Sequence, residues 1–172
     1  MLGLFSLGLV LGGALSASVL RLLSGLAAPL PAPWRLGLVL AVAASGVLRD
    51  AGFLRVPLPQ NTRQVPQEVL QRHLAHGAVQ FGFELGTGVR TYVSSTAPYV
   101  VAAALLLVGP GWPAALLTGA GFGLGRAATP LTRFASGAGG SWDAALRARL
   151  PMITIGACAV IAALLAWGTL AA

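Results

Sequence analysis

The chain is predicted to be all-α: a polytopic transmembrane helix bundle of about five spans, with a weak two-half repeat and a broken third helix. Three observations carry this prediction. Of 172 residues, 56% are hydrophobic and only 9% are charged, with a mean hydropathy of +0.82. A water-soluble domain of that composition would lack the polar surface to cover itself. Short Pro- and Gly-rich connections also cut the apolar sequence into pieces near the roughly 20 residues that a hydrocarbon core demands. The stretch from Gly77 to Gly109, GAVQFGFELGTGVRTYVSSTAPYVVAAALLLVG, is longer than the roughly 20 residues that one crossing requires. It holds Glu84, Arg90 and the helix-breaking run Ser94-Ser95-Thr96-Ala97-Pro98.

The elements follow in order, and a single integral membrane domain is expected over 1–172. Residues 2–24 form a first span. No basic residue precedes the apolar run, so a retained helix is expected in place of a cleaved secretory signal. Gly8 and Gly12 make a small-xxx-small pair facing a neighbour. Pro29, Pro31 and Pro33 end this helix, because proline lacks an amide donor and restricts the residue before it. Trp34 marks an interface, and a second span, 34–54, ends near Arg49 and Asp50.

Residues 56–76 are the polar cytoplasmic loop. Pro66 opens a short surface helix, PQEVLQRHL. His73 and His76, with Glu68 nearby, suggest a metal site, but two histidines without a firm third ligand fit a headgroup-level helix better, so no metal is expected. The third span, 77–109, turns at Gly109-Pro110-Gly111 into a fourth, 112–134. There Gly119, Gly121, Gly123 and Gly125 give two overlapping GxxxG spacings. A phosphate-cradling loop would need a preceding strand and an aqueous face, so close helix packing is the expectation. Ser141 can cap a short interfacial helix, SWDAALRAR, before the last span, 150–171.

The net charge of +7 comes from scattered arginines with no lysine, which is unlike a basic face with interleaved aromatics; no nucleic-acid partner is expected. Arginines crowd the second and fourth connections, so the positive-inside bias places the amino terminus in the cytoplasm and the carboxyl terminus outside a cell membrane. Cys158 is the single cysteine. An intramolecular disulfide or dithiol relay is therefore impossible within this chain, and a small buried thiol is expected.

Charged groups inside the third and fourth spans are the functional signal. Counting inward at ~1.5 Å per residue, Glu84 and Arg126 sit about 10 and 9 Å below the cytoplasmic edge. They are expected to pair, with Arg49 and Asp50 close by at the equivalent place in the first half as further ion-pair partners, and with Arg90, also an ion-pair candidate, pointing about 120° away from Glu84. At 100° per residue, Glu84, Thr87, Gly88, Thr91, Ser95 and Pro98 share one face. Past Ser95 the backbone is expected to unwind, so that carbonyls and the hydroxyls of Thr91, Ser94, Ser95 and Thr96 hold a cation or small polar solute.

The halves echo each other: Phe5-Ser6-Leu7-Gly8 matches Phe83-Glu84-Leu85-Gly86, Pro33-Trp34 matches Gly111-Trp112, and Arg49 falls one position out of register with Arg126. Phe83 to Val100 and Gly121 to Pro130 (GFGLGRAATP) resemble the membrane thiol-disulfide family of the cytochrome c biogenesis protein CcdA and the central domain of DsbD. The resemblance covers about a third of the chain and implies a broken-helix architecture and transport across a membrane. Ser95 to Pro98 contains no cysteine, so the family's electron-carrying pair has no counterpart here. A transporter-like carrier without its own dithiol is the leading expectation. A non-catalytic membrane subunit docking a thioredoxin-like or biogenesis partner is the alternative. No cofactor is expected, and an enzyme ranks behind both because no nucleophile, base and orienting group combine.

Overall fold

The computed structural model describes residues 1–58, 74–88 and 95–170. It is all-α: α1 (Leu2–Leu23), a 3-10 turn (Ser24–Ala27), α2 (Ala32–Asp50), α3 (Leu74–Gly86), α4 (Ala97–Val108), α5 (Trp112–Ser136) and α6 (Gly139–Leu170). Among the described residues, three segments are long and apolar enough to cross a membrane: α1 with the 3-10 turn, α2, and α6 to Trp167. This is a multi-pass membrane protein. The lipid-facing character of α6 shows in its exposed Met152, Leu164 and Trp167, the inverse of a soluble helix.

Two compact units build the chain. The first takes most of α1 together with α3, α5 and the start of α6. Its helices meet through glycines, because without a hydrophobic drive between helices in lipid, backbones must approach closely to gain dispersion contacts. A Cβ added at Gly8 would strike the main chain of Val79 and Phe83, and one at Gly12 the main chain of Phe83 and Thr87. The relation is reciprocal, since a Cβ at Gly82 would strike Phe5, and one at Gly86 would stand 2.8 Å from the Cα of Leu9. The paired GxxxG faces of α1 and α3 belong to the two segments that echo each other in sequence. On its other side, α1 offers Gly13 to Gly119, while Gly123 lies against Leu9 and Val10. Gly121 and Gly125 face open space, so only one of the two overlapping glycine spacings of α5 packs within the chain.

The second unit takes the end of α1, the 3-10 turn, α2, α4 and most of α6. Its core is Ala43, Ala97, Val100 and Cys158, closed by Val42, Val47, Ile161, Ala162 and Leu165. Gly46 gives α4 and α6 their approach: a Cβ there would come within 2.9 Å of the Thr96 side chain and 3.1 Å of the Cys158 sulfur. The Cys158 side chain is fully buried, as expected. Membrane-permeant N-ethylmaleimide, followed by mass spectrometry, is expected to leave it unlabelled in the folded protein and to modify it fully after unfolding.

Several local features depart from the sequence reading. One helix runs from Gly139 to Leu170 through Pro151, where a short surface helix and a separate apolar segment were expected. Ser141 donates to the Ala138 carbonyl at 3.0 Å instead of accepting from a helix amide. The 3-10 turn continues α1 before Pro29, and Gly109, in the left-handed region at φ 62°, closes α4 as its C-cap.

Candidate functional site

The residues singled out in the third span divide between two helices. α3 stops at Gly86, and Gly88 has a φ of 73° that side-chain-bearing residues rarely adopt. The 84-to-98 face drawn on an uninterrupted helix therefore does not exist as one helical stripe. Arg90, Thr91 and Ser94 lie outside the described residues, as do Glu68 and His73. His76 is exposed, and no group of three or more His, Cys, Asp or Glu that could hold a metal occurs among the described residues.

The end of α3 is satisfied internally. The last carbonyls of a helix lack intrahelical partners, and in lipid no water supplies one. Thr87 Oγ1 donates to the Glu84 carbonyl at 2.7 Å, the Gly88 amide to the Leu85 carbonyl at 3.2 Å, and Ser16 Oγ of α1 to the Thr87 carbonyl at 3.0 Å. The Glu84 side chain is half-buried, with Oε1 accepting a long 3.4 Å bond from Gln80 Nε2. Arg126, on α5 in the same unit, holds its guanidinium 5.7 Å from the ring centre of Phe122 one turn earlier, a cation-π contact.

The strongest polar constellation is at the start of α4, in the second unit. Pro98 does not break a helix. It occupies the first turn of α4, where a missing amide costs nothing because that amide would have no intrahelical acceptor. The other early donors are met by an acid from a different helix. Asp50, the last residue of α2, has a side chain only 1% exposed. Its Oδ2 accepts from the Thr96 amide at 2.8 Å and from Ser95 Oγ at 3.0 Å. Its Oδ1 accepts from Thr96 Oγ1 at 2.7 Å and from Arg49 Nη1 at 2.9 Å. Ser95 Oγ in turn accepts from the Ala97 amide at 3.2 Å. All four acceptor positions of the carboxylate are occupied, and the amides of Thr96 and Ala97 both have acceptors.

Arg49 also reaches the Val56 carbonyl through Nε at 3.0 Å, which ties the chain after α2 to the same cluster. Arg49 and Asp50 thus pair with each other, and they belong to the other unit from Glu84 and Arg126. Sequence reasoning placed Asp50 only as an ion-pair member. Its role as acceptor for Ser95 and Thr96 was signalled by one thing: a helix-opening Ser-Ser-Thr-Ala-Pro run has donors that its own chain does not satisfy.

Part of the sequence is similar to two curated proteins. One is the methylamine utilization protein MauF of Methylorubrum extorquens, 38% identical over 95 residues, which are 52% of this chain and 33% of that protein. The other is the MauF of Paracoccus versutus, 34% identical over 107 residues, 60% of this chain and 39% of that one. The chain therefore spans about a third to two-fifths of the length of these relatives. No protein-family model and no solved structure matches it. The likeness is thus to part of MauF, in a chain that has a single cysteine.

Proposed function

We propose that the chain is a transporter-like membrane carrier without a dithiol, and that its working element is the interruption between α3 and α4. One observation carries the proposal: a buried carboxylate from α2 takes up the donors at the start of α4, with Arg49 beside it. The 12 residues of α4 rise about 18 Å, well short of a hydrocarbon core of roughly 30 Å. With its glycine turn at one interface, α4 begins inside the core, where an unmet amide costs several kcal/mol. A built polar cluster at that depth is characteristic of interrupted helices around a solute path. In this reading Glu84 and Arg126 pair within the first unit. The hydroxyls proposed to meet the solute are those of Thr91, Ser94, Ser95 and Thr96, and Pro98 opens the helix that follows. The amino terminus lies in the cytoplasm.

A second reading, a non-catalytic subunit that docks a thioredoxin-like or biogenesis partner, draws on the single buried cysteine and on the partial overlap with longer relatives. Reconstitution into liposomes carrying a trapped pH dye separates the two. Under an imposed proton gradient, the wild-type chain is expected to dissipate it faster than empty vesicles, and Glu84→Gln, Arg126→Ala and Asp50→Asn are expected to slow it. Rates equal to empty vesicles for all four proteins would sink the carrier and leave the subunit.

A further inference from the structure

The polar cluster at the start of α4 has donors to spare and few acceptors. The Asp50 carboxylate has no position left for a cation, since the Thr96 amide, the hydroxyls of Ser95 and Thr96, and Arg49 fill all four. Each hydroxyl also receives a bond: Ser95 Oγ from the Ala97 amide at 3.2 Å, and Thr96 Oγ1 from Arg49 Nη1 at a long 3.5 Å. Arg49 is different. Its Nε is fixed on the Val56 carbonyl and its Nη1 on Asp50, while Nη2 meets no acceptor among the described residues. The side chain is 24% exposed, so that edge of the guanidinium is open to a ligand. Arg55 is exposed and comes one residue before the Val56 whose carbonyl Arg49 holds, which puts a second guanidinium within side-chain reach. Asp50 is the single acid among the described residues of the second unit, against Arg21, Arg35, Arg49, Arg55, Arg147 and Arg149.

We propose that Arg49 and Arg55 form a binding site for a small oxyanion, a carboxylate or a phosphate, and that this is the class of solute the interruption admits. The second clause rests on the carrier reading; the binding site does not. An oxyanion takes up the N–H groups of Nη2 in charge-assisted hydrogen bonds, the stronger kind. The bonds to Val56 and Asp50 already hold the guanidinium in place, so little side-chain freedom remains to be lost when the anion arrives. Asp50 sits on the Nη1 side with its charge shared among four donors, and Arg55 adds a positive group on the outer side. A cation, which the sequence allowed, would have to displace one of those donors beside two guanidinium groups. The α4 amides of Thr96 and Ala97 are taken, so the guanidinium carries the site.

The test is equilibrium dialysis of radiolabelled acetate, phosphate and sodium against the purified full chain in a neutral detergent at fixed ionic strength. At least one of the two oxyanions is expected to bind saturably, and sodium is not. Arg49→Lys keeps the charge beside Asp50 but has no second amino group, so the fold is retained and oxyanion affinity is expected to fall roughly tenfold. Arg55→Gln should cause a smaller loss, and the Arg147→Gln/Arg149→Gln pair none. No saturable oxyanion binding by the wild-type chain, or undiminished affinity in Arg49→Lys/Arg55→Gln, overturns the site. Saturable sodium binding that Asp50→Asn abolishes overturns its polarity. Complete displacement of the oxyanion by added phosphatidylglycerol overturns the small-solute assignment in favour of a lipid headgroup. Oxyanion binding by a chain whose liposomes stay as tight as empty ones keeps the site and sinks the carrier, whereas gradient dissipation without oxyanion binding keeps the carrier and sinks the site.

Discussion

Gly86→Ala and Gly123→Ala are each expected to lower stability by about 2–3 kcal/mol, whereas Gly121→Ala and Gly125→Ala leave it unchanged or raise it slightly. The contrast is sharp because all four residues are helical glycines in similar sequence surroundings. A methyl on Gly86 would lie 2.8 Å from the Cα of Leu9, and one on Gly123 would lie 2.6 Å from the Cα of Val10. Those neighbours are main chain, which cannot swing aside as a side-chain tip can, so the helices must separate. Separation forfeits dispersion contacts along the whole α1 face, and close backbone approach is the chief source of helix affinity in lipid. At Gly121 and Gly125 nothing lies within 4 Å, and a methyl there meets only lipid. Unfolding by titration with SDS, followed by circular dichroism, measures all four variants. Equal losses at the four sites would mean that α1 does not pack as described.

Asp50→Ala is expected to cost about 3 kcal/mol or more, the low end of the range for removing one partner of a buried ion pair, because Arg49 retains some exposure. The alanine strands the Thr96 amide, two hydroxyls and a guanidinium at once. Asp50→Asn keeps one acceptor oxygen but turns an amide donor toward groups that are themselves donors, so a loss of roughly 1–3 kcal/mol is expected. Thr96→Val, which keeps the main-chain amide and removes one hydroxyl bond, should cost less than either. Hydrogen exchange of the first turn of α4 distinguishes this from general loosening: Asp50→Ala should speed exchange at Thr96 and Ala97 well before it affects α5. Uniform acceleration throughout would argue against a local cap.

The sequence reading put the interruption of the third span at Ser94 to Pro98 and drew Thr87 and Gly88 on a continuous helical face, whereas the helix already ends at Gly86. Proline reads as a breaker when a helix is assumed to arrive from its N-terminal side. Here Pro98 opens a new helix, because α3 has already ended at Gly86 and a first-turn proline needs no acceptor. The break between the fourth and fifth apolar segments failed for a related reason. Gly139, Gly140 and Pro151 suggested a loop and a boundary, yet one helix runs through all three. Intrinsic propensity is a weak prior where lipid forbids unsatisfied main chain. The buried thiol at Cys158 and the glycine contact at Gly8 and Gly12 were readable because each depends on residue size alone.

Composition and segment length were enough to establish a multi-pass all-α membrane protein, since so few charged residues cannot solvate a surface and apolar runs of that length match a bilayer. Glycine spacing was enough to say that backbones would touch. Which glycine pair on α5 faces α1, and which acid answers the amides of Thr96 and Ala97, required the tertiary structure. Both depend on helix rotation and on partners tens of residues apart, and spacing along the chain carries no information about what lies across from it.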